Sequence, residues 1–181
     1  MSDHSGLVAT RMAVASIAVV ASMVGGIAGF EGFSDTAYIP VKGDVPTIGY
    51  GSTDGVKLGD TITEERALHR LMEEVDSTYA QGVRRCVMVP LTDYEFGAYV
   101  SLAYNVGVPT FCRRARKGKP PNLIDLINDK RYAAACRRIE AFVYGPDGRG
   151  GKKILRGLVK RRAEERAICE GKRQTRSEAR A

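Results

Sequence analysis

One uncharged run near the N-terminus constrains this chain more than any other feature. Residues 12–30, MAVASIAVVASMVGGIAGF, carry no charged side chain, and Glu31 follows them directly. A helix of about 20 residues crosses the hydrocarbon core of a bilayer. The run is only weakly hydrophobic, however, because Ala, Ser and Gly supply about half of it and Leu is missing. The residues alone are compatible with a membrane helix, a cleavable signal peptide or a buried core helix.

The composition indicates one domain and an anionic partner. A chain of 181 residues suits a single compact domain with appendages, large enough to bury its own core. A net charge of +7 favours binding to nucleic acid, acidic lipid or cell-wall polymer. Most of the Lys and Arg residues lie after residue 112, so the positive charge belongs mainly to the C-terminal half.

The cysteines predict disulfides rather than a metal site. Cys86, Cys112, Cys136 and Cys169 lie far apart, and the chain has only two histidines, so we expect no zinc site. An even number of cysteines fits two disulfides in an oxidising compartment, with three possible pairings. We expect Cys112–Cys136 and Cys86–Cys169, because each bond would join neighbouring helices. Four buried free thiols are the alternative for a cytosolic protein.

Two capping sequences predict the main helices. Thr63 is a good N-cap for a helix over residues 64–85, and Thr61 begins an alternative capping box. Thr92-Asp93-Tyr94-Glu95 is a second capping box, and it precedes a helix over residues 96–104 that is apolar nearly all round. Such a helix is expected at the centre of a domain, and Asn105-Val106-Gly107 supplies its C-cap.

The C-terminal half predicts three more helices, over residues 122–129, 132–142 and 154–169, with a flexible turn at residues 145–151. The apolar positions of the last helix are Leu155, Leu158, Val159, Ala163, Ala167 and Ile168.

Residues 31–52 combine a carboxylate with a small β-ribbon. Val, Ile, Tyr and Thr interrupted by glycines and a proline predict two or three short strands joined by tight turns. A ribbon of this kind can fold over the end of a helix and bring a hydroxyl and a second carboxylate towards Glu31. Such an arrangement of polar groups suits a hydrolase, whereas the alternative is an ordinary hairpin with surface charges.

Three segments resemble one enzyme family. The motifs are Glu31-Gly32-Phe33 with VPTIGYG at residues 45–51, the central segment LTDYEFGAYVS leading into YNVG at residues 104–107, and GLVKRRAEER at residues 157–166. In this order they resemble the phage-type lysozymes of glycoside hydrolase family 24, over about residues 30–171. The resemblance implies an α+β, lysozyme-like fold with a mainly helical lobe, a small β-ribbon lobe and an N-terminal apolar helix.

The resemblance also implies an endolysin that cleaves the β-1,4 link between N-acetylmuramic acid and N-acetylglucosamine by inversion, with no cofactor. Glu31 would be the general acid, and Thr47 would orient a water on the opposite face of the sugar. The family usually has an Asp, sometimes a Cys, nine positions after the Glu and six before the Thr; here Pro40 and Val41 stand there. Asp44 is the nearest acid and our candidate base, although Asp beside Gly is also common in turns.

Some relatives carry a signal-arrest-release (SAR) segment, which inserts uncleaved into the membrane and later leaves it. A weakly hydrophobic run suits that behaviour, and Arg11 favours an N-terminus that stays inside. We therefore expect a SAR segment at residues 1–30, a catalytic domain at 31–171 and a frayed charged tail at 172–181. The protein would be a monomer, first in the host inner membrane through residues 12–30 and then in the periplasm, bound to peptidoglycan glycan strands.

Two other functions remain open. One is a wall-binding or membrane-anchored protein that keeps the fold but is catalytically impaired, because the usual Asp is missing. The other is a basic nucleic-acid-binding protein that uses residues 113–119, although no aromatic side chains are interleaved there and we expect no nucleic-acid partner.

Overall fold

Helices make up most of the structure, a computed structural model that describes residues 10–41, 43–148 and 150–172. Within these residues the helices are α1 (Ala21–Glu31), α2 (Glu64–Glu74), α3 (Gln81–Cys86), α4 (Asp93–Val106), α5 (Val108–Phe111), α6 (Leu123–Asn128), α7 (Tyr132–Arg138) and α8 (Arg156–Cys169). Two antiparallel hairpins join β1 (Ser34–Tyr38) to β2 (Thr47–Gly49), and β3 (Tyr144–Pro146) to β4 (Lys152–Ile154). The predicted α+β class, a helical body with a small β-ribbon, is confirmed.

The central helix is α4, as its apolar sequence predicts. The Thr92 hydroxyl accepts a hydrogen bond from the Glu95 amide at 3.1 Å, and the Glu95 carboxylate accepts one from the Thr92 amide at 2.9 Å. This capping box satisfies two backbone donors that the helix leaves unpaired. Phe96 and Tyr99 are fully buried, and Gly107, at φ +82°, ends the helix. Helices α1, α3, α5 and α8 all pack against α4.

The long helix predicted over residues 64–85 is continuous but not uniform. Thr63 is its N-cap, since its hydroxyl accepts a hydrogen bond from the Arg66 amide at 3.3 Å. A π-helical segment, Val75–Ala80, lies between α2 and α3. The side chains of Leu71 and Val75 are fully buried, so this helix forms one wall of the core.

The β-ribbon is attached to α2 by side-chain hydrogen bonds. Strands β1 and β2 pair Ser34 with Gly49 and Tyr38 with Thr47. The Tyr50 hydroxyl donates to Glu64 at 2.9 Å, and the Ser52 hydroxyl donates to Glu74 at 3.0 Å. The residues that follow β2 are therefore held against the helical body.

The uncharged N-terminal run is not a single helix here. Residues Val14–Ser16 form a 3₁₀ turn and an extended stretch leads into α1, so only part of residues 12–30 is α-helical. Ile17 and Ile27 are buried in the core. Among the residues that the structure describes, no helix has both the length and the apolar character needed to cross a bilayer.

Polar contacts also hold the N-terminal run, and Arg11 just before it, against the helical body. Arg11 binds Glu95 through two nitrogens, at 2.6 and 3.1 Å, and its guanidinium lies 3.9 Å from the Tyr132 ring centroid. Met12 and Leu91 exchange two backbone hydrogen bonds, and Arg84 donates to the Ile17 carbonyl at 2.8 Å. The N-terminal run is thus bound to the domain by charge and backbone contacts as well as by apolar burial.

The C-terminal region departs from its prediction in two ways. The turn expected at residues 145–151 belongs to the β3–β4 hairpin, in which Tyr144 pairs with Ile154. The buried face of α8 consists of Arg161, Arg162, Glu165 and Cys169, whereas Val159 and Ala163 are exposed. A search for apolar periodicity misses this face because its buried side chains are mainly charged.

The predicted disulfide pairing is wrong. The bonds join Cys86 to Cys112 and Cys136 to Cys169. Each does join neighbouring helices, but the neighbours differ from those expected: α3 packs against α5, and α7 packs against α8. Which helices are neighbours depends on the tertiary packing, so spacing along the chain could not select the pairing.

We expect the Cys136–Cys169 bond to stabilise the domain by holding the end of α8 against α7. Replacing both cysteines with Ser should lower the free energy of unfolding by about 2–4 kcal/mol, because the bond closes a loop of 33 residues. Urea unfolding of the oxidised variant and of the parent protein measures the difference. A change below about 0.5 kcal/mol would contradict a structural role for the bond.

Candidate active site

Glu31 is the last residue of α1 and borders an open cleft. Gly32, at φ +76°, ends the helix and directs the chain into the ribbon. The Glu31 side chain is 22% exposed. The cleft has a volume of about 580 Å³, and Phe30, Asn105, Leu158 and Lys160 also line it. The carboxylate therefore lies where the apolar end of α1 meets solvent.

Arg161 binds this carboxylate from the α8 side. Its Nη1 lies 2.5 Å from Glu31 Oε1, and its side chain is 7% exposed. The guanidinium also lies over the Phe30 ring, 4.8 Å from the centroid. A charge-assisted hydrogen bond from a largely buried guanidinium restricts the orientation of the Glu31 carboxylate.

Beneath Arg161 lies a buried charge network. Glu165 accepts hydrogen bonds from Arg161 and Arg162, both at 3.0 Å, and from the Ser101 hydroxyl at 2.7 Å. Arg162 and Glu165 are completely buried. Ser101 lies on α4, so this network connects the central helix to α8 and, through Arg161, to Glu31.

In this network, burial shifts each pKa towards the neutral form and ion pairing shifts it towards the charged form. Burial raises the pKa of Glu165, while the charges of Arg162 and Arg161 and the Ser101 hydrogen bond oppose that rise. Burial lowers the pKa of Arg162 to about 10, although Glu165 favours its charged form. Each charge is therefore costly to bury alone and depends on its partners.

The other side of Glu31 faces the ribbon. Gly51 follows β2 at φ +106°, and a Cβ placed on it would lie 4.0 Å from Glu31 Oε2 and 3.2 Å from the Tyr104 hydroxyl oxygen. Glu31 is thus bound by Arg161 through Oε1 and approaches the ribbon turn through Oε2.

The other predicted site residues, Thr47 and Asp44, differ in their exposure and in their hydrogen bonds. Thr47 lies in β2, 7% exposed, and its hydroxyl donates to the Val45 carbonyl at 3.2 Å. Asp44 is exposed, and its carboxylate accepts a hydrogen bond from the Val45 amide at 2.9 Å within its own turn. Asp35 is exposed, and its carboxylate accepts a hydrogen bond from the Thr36 hydroxyl. Glu31 thus ends the helix that leads into the ribbon, Thr47 lies within the ribbon, and Asp44 lies in an exposed turn.

Reasoning from the sequence missed the roles of Arg161 and Glu165. A signal was present, because Arg161 and Arg162 precede Glu165 by four and three residues and so share a helix face with it. Charged residues at such spacing usually lie at the surface. Only the packing of α8 on α4 buries them.

The network predicts a large effect of Glu165→Gln. Removing the carboxylate charge leaves Arg162 buried without its counter-ion, so we expect the free energy of unfolding to fall by about 3–5 kcal/mol. Urea unfolding measures this change. Glu140→Gln is the control, since Glu140 is 45% exposed and pairs with Arg166 at the surface, where loss of an ion pair costs about 1 kcal/mol or less. Equal effects of the two substitutions would contradict the dependence of the buried Arg162 charge on Glu165.

Comparisons with known proteins show which proteins the chain resembles. The family model described as phage lysozyme matches residues 28–165. The chain is 30% identical to the SAR-endolysin of Enterobacteria phage P21 over 90% of this chain and 92% of that protein. It is 33% identical to the endolysin of Bacillus phage PZA over 78% of this chain, but spans only about half of that longer protein.

A solved structure has the same fold. The muramidase domain of SpmX from Asticaccaulis excentricus superposes with a TM-score of 0.74 at 25% identity, over 84% of this chain and 97% of that domain. The predicted lysozyme-like fold is confirmed by this likeness. The family match covers well over half of the residues and includes Glu31, the ribbon, α4 and most of α8. The chain therefore belongs to the phage lysozyme family.

Proposed function

We propose that this protein is an endolysin, a muramidase that hydrolyses the β-1,4 link between N-acetylmuramic acid and N-acetylglucosamine in peptidoglycan and thereby lyses the host cell. The observation that carries the proposal is the position of Glu31, at the edge of a cleft and bound by Arg161. Family membership and the muramidase domain among the structural neighbours support the same activity.

Glu31 is the proton donor in this proposal. Cleavage of a glycosidic bond requires a proton at the leaving oxygen while positive charge develops at the anomeric carbon. Arg161 restricts the rotation of the Glu31 carboxylate, which reduces the entropy lost on reaching the reactive geometry. Oε2, on the ribbon side, is the oxygen we assign to proton transfer.

The opposite face of the sugar requires an activated water. In an inverting enzyme the two catalytic groups stand roughly 6.5–9.5 Å apart, which leaves room for that water. We assign Thr47 to orienting it and Asp44 to accepting its proton. Because Asp44 lies in an exposed turn, its participation requires the turn to close over bound glycan.

Substitution of Glu31 tests the central assignment. Glu31→Gln keeps the size and polarity of the side chain but cannot donate the proton, so we expect a fall in kcat of about 10²–10⁴-fold. The measurement is the rate of turbidity loss of outer-membrane-stripped Gram-negative cells. Clearing by the variant at the rate of an active parent would contradict the assignment of Glu31, and no clearing by either protein would favour a wall-binding protein that has lost its chemistry.

A matched pair of carboxylates tests Asp44. If Asp44 is the base, Asp44→Asn should lower kcat by at least about 10²-fold, whereas Asp35→Asn should leave it within two-fold. Both residues are exposed acids of the ribbon region, so loss of a surface charge affects both variants equally. Equal rates for the two variants would remove Asp44 from the mechanism and leave Glu31 with a water held by Thr47.

The proposal includes delivery by a SAR segment. The SAR segment at residues 1–30 would insert in the inner membrane through residues 12–30, holding the monomeric enzyme at the periplasmic face, and would leave it when lysis begins. Residues 31–171 would form the catalytic domain and residues 172–181 a charged tail. Residues 1–9 of the SAR segment and 173–181 of the tail lie outside the described part of the chain. The likeness to the P21 SAR-endolysin along most of its length supports this assignment.

The packing of the N-terminal run against the domain is what we expect after its release from the membrane. Ile17, Val24 and Ile27 are buried in the domain, so these side chains would exchange lipid for protein without being left in water. Glu31 ends α1, so an inserted segment would carry the proton donor away from the ribbon. Release would therefore coincide with assembly of the active site.

Leucine substitutions at exposed positions test the membrane step. Ala15, Ala18 and Ala21 are exposed, so Leu at all three should leave the core undisturbed. The change should favour the membrane by about 1–2 kcal/mol in total, which is roughly a ten-fold shift in the equilibrium. We expect a larger membrane-bound fraction after cell fractionation and delayed lysis.

The control places Leu at Ala133, Ala141 and Ala163, which are exposed but lie outside the segment. It adds the same apolar surface without changing the run that would insert. Unchanged fractionation and lysis timing for the segment variant, or the same delay for both variants, would contradict the SAR assignment.

A further inference from the structure

We propose that Tyr104 is a positioning residue for the reaction, and that its hydroxyl sets the distance between Glu31 and the ribbon strand that carries Thr47. This inference rests on the proposed function, because it concerns the same site. Tyr104 lies near the end of α4, at the point where the helical body meets the ribbon.

One hydrogen bond joins the two lobes at this point. The Tyr104 hydroxyl donates to the Tyr50 carbonyl at 2.8 Å. Tyr50 immediately precedes Gly51, the residue whose Cβ position lies 3.2 Å from the Tyr104 hydroxyl oxygen and 4.0 Å from Glu31 Oε2. The ribbon turn therefore lies close to both the proton donor and the tyrosine, and the φ of +106° at residue 51 strains any residue other than glycine there.

The tyrosine itself has little freedom to move. Its ring packs against Tyr79, with centroids 4.7 Å apart. Burial raises the pKa of Tyr104 well above its ordinary value, and the nearby Glu31 charge raises it further. The phenol therefore stays protonated, and able to donate to the ribbon, across the pH range in which a lysozyme works.

The other side-chain attachments of this turn run to a different helix, α2. Tyr50 and Ser52 are hydrogen-bonded to Glu64 and Glu74 on α2 and its end. Those bonds hold the turn to α2, whereas the Tyr104 bond holds it to α4, close to the Glu31 carboxylate. A displacement of about 1 Å between reacting groups can reduce a rate by about 10²-fold. Loss of the Tyr104 hydroxyl should thus reduce catalysis without removing a group that touches the reacting atoms.

Tyr104→Phe tests the inference, because it removes only the hydroxyl. On purified peptidoglycan we expect kcat to fall at least ten-fold while KM stays within two-fold of the parent value. The pH dependence of kcat should keep its shape, since a positioning residue does not titrate in the mechanism. A parent-like kcat would overturn the inference, and a shifted alkaline limb would replace it with a direct acid–base role.

Tyr132→Phe is the matched control. The Tyr132 hydroxyl also donates to a backbone carbonyl, that of Pro90 at 2.9 Å, but it lies beside Arg11 on another part of the domain. We expect its kcat to stay within two-fold of the parent value. Equal losses in both tyrosine variants would indicate a general effect of losing a hydroxyl and would overturn the inference.

A second pair of variants tests the same geometry with the hydroxyl retained. Gly51→Ala places a methyl group close to both Tyr104 and Glu31, whereas Gly59→Ala, at φ +94°, also introduces strain at a positive φ but has no other described atom within 4 Å. We expect a fall in kcat of at least ten-fold for Gly51→Ala beyond that for Gly59→Ala. Equal losses would count against the inference.

The parent protein and Glu31→Gln are assayed in parallel. If Glu31→Gln is inactive while Tyr104→Phe matches the parent, the proposed function stands and only the positioning role fails. If Glu31→Gln is fully active, the proposed function itself fails.

Discussion

The ion pair between Glu31 and Arg161 is the contact on which the site depends. It joins the end of the first helix to the last helix, two elements far apart in the sequence. Arg161 can hold Glu31 because Glu165 and Ser101 hold Arg161, and these lie in the packed contact between α8 and α4. Buried charges of this kind contribute little stability by themselves, but they tolerate few alternative arrangements because each unpaired charge would be costly. The network therefore favours one position for the carboxylate.

The helix that carries Glu31 has an unusual composition for a catalytic element. It contains three glycines and no residue more polar than Ser before the glutamate, yet its side chains pack well enough to bury Val24 and Ile27. The proposed exchange between lipid and protein would require both weak hydrophobicity and burial of this kind. Arg11 and Arg84 add polar contacts that only the folded domain can supply. Catalytic geometry and release from the membrane would then depend on the same short stretch of chain.

Local features were predicted well from the sequence, and contacts between distant elements were not. The capping box at Thr92 and the N-cap at Thr63 depend on residues three apart, and both form as expected. The disulfide pairing and the charged face of α8 depend on which helices become neighbours, and both predictions failed there. Glu31 could be identified because a motif surrounds it, whereas Arg161 and Tyr104 reach the site from elements much later in the chain.

The amino-acid sequence by itself determined the family, the order of helices and ribbon, and the identity of the candidate proton donor. The helices and the ribbon follow from short-range rules of periodicity, capping and turn residues, whereas the family and the proton donor follow from the resemblance of several motifs in order along the chain. Only the tertiary structure decided that α8 would bury charges, that the Gly51 turn would lie between Glu31 and Tyr104, and that the N-terminal run would divide into a 3₁₀ turn and a helix. The physical reason is that burial and pairing energies depend on which surfaces meet in space, and no local pattern contains that information.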